Sequence, residues 1–154
     1  MSERSVEHAT FTVRRTYEAS PARVFAAWAD PEAKARWFGG GRAEEHELEF
    51  RLGGREFSRG SAPNGQTYTY EARYQDIVPD ERIVYAYDLQ LDEARISVSL
   101  GTVQLEPEGD GTRLTYTEQG AYLDGLDEPE AREQGTGGLL DALEAELRRE
   151  PATA

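Results

Sequence analysis

The sequence predicts one α+β domain in which a long C-terminal helix closes a curved antiparallel sheet over an internal apolar cavity. Three observations lead there. Through most of the chain apolar residues recur at every second position, the period of strands with one buried face. Two pairs, Ser20-Pro21 and Asp30-Pro31, mark short helices soon after the first strand. Near the end, Leu139, Leu143 and Leu147 recur every four residues, as on an amphipathic helix. Elements segregated in this way indicate α+β rather than alternating α/β. A curved sheet wrapping one such helix leaves a space between them unless large side chains fill it.

The first strand is expected from Thr10 to Glu18, where Phe11, Val13 and Tyr17 alternate with polar residues. Ser20 and Asp30 each read as an N-cap followed by proline at the first helical position. Val24, Phe25 and Trp28 share a face of the first short helix, and Ala33, Trp37 and Phe38 point inward from the second, which Gly39-Gly40-Gly41 ends. His46, Leu48, Phe50 and Leu52 then alternate with Glu45, Glu47, Glu49 and Arg51. Gly53-Gly54 turns the chain, and the strand from Arg55 to Ser61 is expected to carry Phe57 inside. Pro63-Asn64-Gly65 is a strong turn signal. Strands follow with Tyr68, Tyr70 and Tyr74, then Ile83, Tyr85, Tyr87, Leu89 and Leu91, then Ile96, Val98 and Leu100. The switch of apolar parity to Val103 and Leu105 predicts a bulge at Gly101. Leu114 and Tyr116 lie on the last strand, making about seven in all.

The final helix is expected from Pro129 to about Arg149, with Leu140 and Ala142 beside the leucine row. Gly135, Gly137 and Gly138 fall in its first half, where each glycine costs roughly 0.8–1 kcal/mol relative to alanine. That repetition predicts either a packing reason or a break.

With 154 residues, the chain fits a single domain, expected over residues 10–149 with tails at 1–9 and 150–154. There is no cysteine, so disulfides and thiolate metal sites are excluded, and a reducing, cytoplasmic setting is the simpler expectation. No apolar run approaches the roughly 20 residues that span a bilayer, and with a polar N-terminus lacking an apolar h-region no signal peptide is expected. The net charge of −13 repels phosphate backbones and anionic headgroups, so neither nucleic acid nor membrane is an expected partner. Lys34 is the one lysine among 17 basic residues, a bias that reads as codon usage in a GC-rich bacterial genome.

These segments carry a family resemblance. The stretch from Tyr17 to Gly39, with Ser20-Pro21, Trp28 and Trp37-Phe38, resembles the opening of the SRPBCC (START/Bet v 1-like) superfamily. The nearest branch is that of the C-terminal domain of the Hsp90 ATPase activator Aha1. Arg51-Leu-Gly-Gly-Arg55, the segment Tyr74 to Tyr85, Gly111-Thr-Arg-Leu-Thr115 and Leu139-Leu-Asp-Ala-Leu143 continue the match over roughly residues 10–148. The resemblance implies a helix-grip fold with a cavity beneath the last helix. It also implies a hydrophobic ligand, since members bind lipids, polyketides or steroids, and a few are cyclases or aromatases. Members often have Gly-Trp at the head of that helix, whereas this chain has Gly135-Thr136, which implies a wider entrance.

The candidate ligand-binding residues follow from the inward parity. They are Trp37 of the second helix; His46, Leu48, Phe50 and Phe57 of the early strands; Tyr68, Tyr70, Tyr85 and Tyr87 of the middle strands; Val98, Leu100 and Tyr116 of the late ones; and Gly135 and Leu139 of the helix. Buried phenols need partners for their hydroxyls, which a wet or ligand-filled cavity supplies. His46 reads as a core-edge histidine or a polar anchor. His8 is the only other histidine, so no metal site is expected. Gly135-Thr136-Gly137-Gly138 resembles a dinucleotide loop only superficially, because no βαβ unit surrounds it and Leu140 stands at the third glycine position. Ser61 has no histidine at a motif spacing, and Glu118, although it can face the cavity, is a single carboxylate. No catalytic residues and no cofactor are expected.

The leading expectation is a non-enzymatic domain binding a small hydrophobic or aromatic molecule. The alternatives are a polyketide cyclase or aromatase, with tyrosine and histidine orienting the substrate, and a chaperone-interaction domain like the Hsp90 activator. The extra N-terminal domain of full-length activators is not expected here, which weighs against independent ATPase stimulation. A homodimer through an edge strand is compatible with the sequence.

Overall fold

The computed structural model describes residues 4–41 and 43–149. Seven antiparallel strands form one sheet in the order β1-β7-β6-β5-β4-β3-β2. The strands are β1 (Val6–Tyr17), β2 (Ala43–Leu48), β3 (Arg55–Ser61), β4 (Thr67–Val78), β5 (Arg82–Leu91), β6 (Ala94–Glu108) and β7 (Gly111–Leu123). Helices α1 (Pro21–Ala29) and α2 (Pro31–Trp37) follow β1, and α3 (Pro129–Arg148) ends the described chain. This is the α+β, helix-grip-like architecture expected. The residues from 150 onward lie outside those described. Among the described residues no helix is long and apolar enough to cross a membrane.

Local chemistry sets the helix starts. Ser20 Oγ accepts the Arg23 N–H at 3.2 Å, and Asp30 accepts the Ala33 N–H at 3.0 Å. Asp30 also closes α1, because its own N–H donates to Ala26 O. One residue therefore ends one helix and begins the next, which sets the sharp corner between them. That corner holds Trp28 edge-on to Trp37, with centroids 4.8 Å apart, while the Trp37 indole donates to Ala27 O at 2.9 Å.

Helix α3 is unbroken through its three glycines, contrary to the alternative of a break. Its buried stripe is Thr136, Leu140, Leu143 and Glu146, with Leu139 and Leu147 half-buried beside it. Tyr17 donates to Leu140 O at 2.8 Å, fastening β1 beneath the helix. Arg36 grips Glu146 with two nitrogens, which ties α2 to the same helix.

Four expectations are corrected. β1 begins at Val6, so residues 6–9 pair with β7 rather than forming a tail. Leu52 lies past the end of β2 in the turn and is 62% exposed. Phe57 sits on the outer face, because its neighbours Glu56 and Ser58 take the inward positions of β3; the Arg55 guanidinium covers its ring at 4.7 Å. In β6 the parity changes at Ile96, over which the pairing with β5 steps, and not at Gly101. Val98 and Leu100 consequently face outward, 47% and 38% exposed, and the inward positions go to Ser97, Ser99 and Gly101.

Small inward residues on β6 make room for large ones beside them. A Cβ on Gly101 would stand 2.8 Å from the Tyr116 hydroxyl and 2.9 Å from Tyr85 Cζ. Gly101→Ala is therefore expected to cost about 1–3 kcal/mol by overpacking, read as a lower urea midpoint with an unchanged m-value. An unchanged midpoint would mean that the two tyrosines move aside freely.

Candidate functional site

Sheet and helix do not meet along their whole length. Toward one end Val24, Ala27, Ile83, Val103, Leu114 and Leu143 pack solidly, each below 1% exposure. Toward the other, a cavity of about 430 Å³ lies between strands β3, β4, β5 and β7, the N-terminal half of α3 and the turn at Phe38–Gly39. Pockets that hold small molecules run from about 300 to 1,000 Å³. Trp28, Trp37, Phe38, Tyr70, Leu139 and Leu140 supply much of its apolar wall. Three lining residues, Ser61, Pro63 and Gly135, are solvent-exposed and mark where it opens, between the β3–β4 turn and α3.

The sequence-derived candidates divide into three groups. Trp37, Tyr68, Tyr70, Tyr85, Tyr87, Tyr116, Gly135 and Leu139 all line the cavity. His46, Leu48 and Phe50 point inward but do not line it. Phe50 packs edge-on against Phe25 and Tyr74 at 5.5 and 4.9 Å, and His46 joins the ion cluster described below. Phe57, Val98 and Leu100 are on the outer face and take no part. The inward parity expected for them fails, since β3 and the middle of β6 place polar or glycine residues inside.

Three charged groups outside the candidate ligand-binding set prove central. Glu118 lines the cavity at 1% exposure and accepts hydrogen bonds on Oε1 from Tyr116 at 2.7 Å and Tyr87 at 2.9 Å. Arg132, from the first turn of α3, reaches its Oε2 at 3.5 Å and also donates to the Tyr87 hydroxyl, Ser97 and Asp127. Burial opposes a charge on Arg132, but Tyr87, Glu118 and Asp127 outweigh it and hold its pKa above the usual value. The third is Lys34, entirely buried and 4.4 Å from the Phe38 ring centroid. Its Nζ donates to Glu56 Oε1 at 2.7 Å, Tyr74 donates to the same oxygen at 2.7 Å, and His46 Nε2 meets Oε2 at 2.9 Å. Burial pushes Lys34 below its usual pKa despite the adjacent carboxylate. Burial works the other way on Glu56, yet Lys34, His46 and Tyr74 together keep its carboxyl below the ordinary value.

Usable signals existed for all three. Lys34 stands three residues before Trp37, on one helix face. Arg132 stands four before Thr136 and eight before Leu140. Glu118 is in phase with Leu114 and Tyr116. On sequence grounds Glu118 is weighed only as a lone carboxylate, Lys34 only as codon usage and Arg132 not at all, although a charge is tolerated inside when a partner meets it.

Chemically, the cavity offers a carboxylate and several phenols set in an apolar wall. Burial raises the pKa of Tyr70, Tyr85, Tyr87 and Tyr116, so these phenols keep their protons. Among the described residues no histidine lines it, and no group of three or more His, Asp or Glu side chains is arranged to hold a metal ion.

Comparison with known proteins places this geometry. A family model described as Activator of Hsp90 ATPase homolog 1-like protein matches residues 18–148. An uncharacterised protein from Rhizobium leguminosarum is 47% identical over 97% of this chain and 100% of its own, with a TM-score of 0.92. A protein from Rhizobium loti is 53% identical over 92% of this chain and 99% of its own, with a TM-score of 0.87. A protein from Chromobacterium violaceum is 28% identical over 92% and 98%, with a TM-score of 0.75. No protein of curated function matches the chain.

Proposed function

We propose that this chain, which belongs to the family of Activator of Hsp90 ATPase homolog 1-like proteins, binds a small hydrophobic or aromatic molecule between its sheet and α3. The observation that carries this reading is the cavity of about 430 Å³ with an aromatic wall and a few convergent polar groups. A space of that size persists in a fold whose other half is solidly packed, so it is not a general looseness of the core. The large rings surround it rather than fill it.

A thermal-shift and native mass-spectrometry screen against lipids, steroids and polyphenols tests the reading. A ligand at 100 times its dissociation constant stabilises the fold by about 2.7 kcal/mol, which for a domain of this size raises the melting midpoint by roughly 5–10 °C. Thr136→Trp supplies the matching control. Thr136 is 7% exposed and lines the cavity, so an indole there occupies the ligand's space. The variant is expected to fold and to lose ligand uptake; uptake at undiminished affinity would overturn the reading.

A competing reading, contact with an Hsp90-type chaperone, draws its support from the description of the matched family. Chaperone retained by immobilised protein, and retained equally by Thr136→Trp, would favour it over the cavity.

A further inference from the structure

Buried polar groups in a folded chain nearly always find a hydrogen-bond partner, so a buried donor without one calls for a reason. Among the described residues four buried side-chain atoms have none: Trp28 Nε1, the Tyr70 hydroxyl, Ser99 Oγ and the Tyr122 hydroxyl. Trp28 and Tyr70 both belong to the cavity wall, whereas Ser99 and Tyr122 do not line it. The two wall residues come from different layers. Tyr70 lies on β4, its ring packed against those of Phe38 and Tyr87 with centroids 5.0 Å from each. Trp28 comes from the last turn of α1, edge-on to Trp37. The adjacent indole shows what is missing: Trp37 donates to Ala27 O at 2.9 Å, and Trp28 has no such acceptor. The other central phenols are committed, each having one hydrogen to give. Tyr116 and Tyr87 donate to Glu118 at 2.7 and 2.9 Å, so in the 3.1 Å contact of Tyr85 with Tyr116 the donor is Tyr85. Burial keeps the Tyr70 phenol protonated, so its hydrogen remains to be donated.

We infer that Tyr70 and Trp28 are polar contacts of the cavity's ligand, a ring compound that presents carbonyl or similar acceptor atoms to the Tyr70 hydroxyl and the Trp28 indole N–H. The inference rests on the cavity-binding reading and adds to it the polarity of the ligand and the residues that read it. A pure hydrocarbon in the same space would leave both donors stranded, which is unfavourable. A hydroxyl elsewhere on the molecule is compatible, because Glu118 lines the same wall and can accept its hydrogen.

Two probes of nearly the same shape test this in the unmodified protein: 2-acetylnaphthalene, and 2-isopropenylnaphthalene, in which a methylene group replaces the carbonyl oxygen. The hydrocarbon is the more apolar, so hydrophobic burial alone favours it. Titration calorimetry is expected to show the ketone binding about tenfold tighter, the order expected when an acceptor relieves a buried donor. Tyr70→Phe keeps the ring and removes no hydrogen bond of the free protein, so it should fold with an unchanged midpoint. In that variant the ketone should weaken severalfold while the hydrocarbon does not. The chain has two tryptophans, hence two indole N–H resonances, and that of Trp37, already bonded to Ala27 O, serves as the reference. The ketone should move the Trp28 resonance downfield, and the hydrocarbon, with the same ring currents, should not. Equal binding of the two probes, or a preference for the hydrocarbon, overturns the acceptor requirement while the cavity reading stands. A ketone preference undiminished in Tyr70→Phe, with the Trp28 resonance unmoved, overturns the assignment of these residues. Should neither naphthalene bind, the same two readouts on the tightest ligand of the broader screen decide the question. A silent screen removes the cavity reading and this inference together.

Discussion

Lys34→Met is expected to destabilise the protein by about 3–5 kcal/mol, because it strands the Glu56 carboxylate inside the fold without its cation. For a domain of this size that is a fall in melting midpoint of roughly 6–20 °C. Both partners of this pair are at 0% exposure, so water cannot take the place of the lost ammonium. Replacing both, as Lys34→Met with Glu56→Leu, should recover a large part of the loss, since the expense lies in the unpaired charge rather than in the absence of an ion pair. A single variant as stable as the parent would show that the pair is dispensable. The pH response has a definite sign. The folded pKa of Glu56 is lowered from its ordinary 4.5, so its contribution is complete above that value and is lost as pH falls through the folded pKa. Stability measured against pH below 4.5 should therefore decline less steeply in Glu56→Gln than in the parent.

Arg132→Met is expected to have an effect of the same order, about 3–5 kcal/mol, by leaving Glu118 buried with two phenol donors and no counter-charge. Here the loss reaches function as well. Arg132 joins α3 to Ser97 on β6, Tyr87 on β5 and the loop at Asp127, so its removal loosens the floor of the cavity along with the helix that covers it. Arg113→Met is the informative control. Its contact with Glu106 is only 2.6 Å long, but both side chains are at least half exposed, so water and salt take over and the midpoint should hardly move. Equal destabilisation by the two variants would refute the claim that burial, and not ion-pair distance, decides the outcome. The ligand affinity of Arg132→Met, measured below its melting temperature, is expected to fall as well.

Much of the fold could be read from residue order. Ser20 and Asp30 mark their helices because a capping oxygen and a following proline act locally, whatever the rest of the chain does. The alternation on β4, β5 and β7 is legible because Tyr70, Tyr85 and Tyr116 are both strand-forming and inward. The five tyrosines among the eight cavity-lining candidates are brought together for that reason, while Trp37, Gly135 and Leu139 come from helices. The misplacements of Val98 and Leu100 share one cause, whereas Phe57 is outward because Glu56 and Ser58 take the inward positions of β3. Hydrophobicity assigns the larger apolar residue to the inside, but in β6 the inward Gly101 faces the rings of Tyr85 and Tyr116, and Ser97 and Ser99 are the other buried inward residues beside it. Even a Cβ at Gly101 would crowd those rings, and the valine and leucine lie on the outer face.

By itself, the sequence determined the element order, the helix starts, the alternation of most strands and the greasy seam of α3. Each of these follows from interactions between residues close in the chain or from a period along it. Only the tertiary structure decided where the charges go. Lys34 meets Glu56 22 residues away, and Arg132 meets Ser97 35 residues away. A buried charge is acceptable only when its partner arrives from another element, and no local pattern records that meeting. The cavity has the same origin, because its volume is what remains after distant side chains have packed.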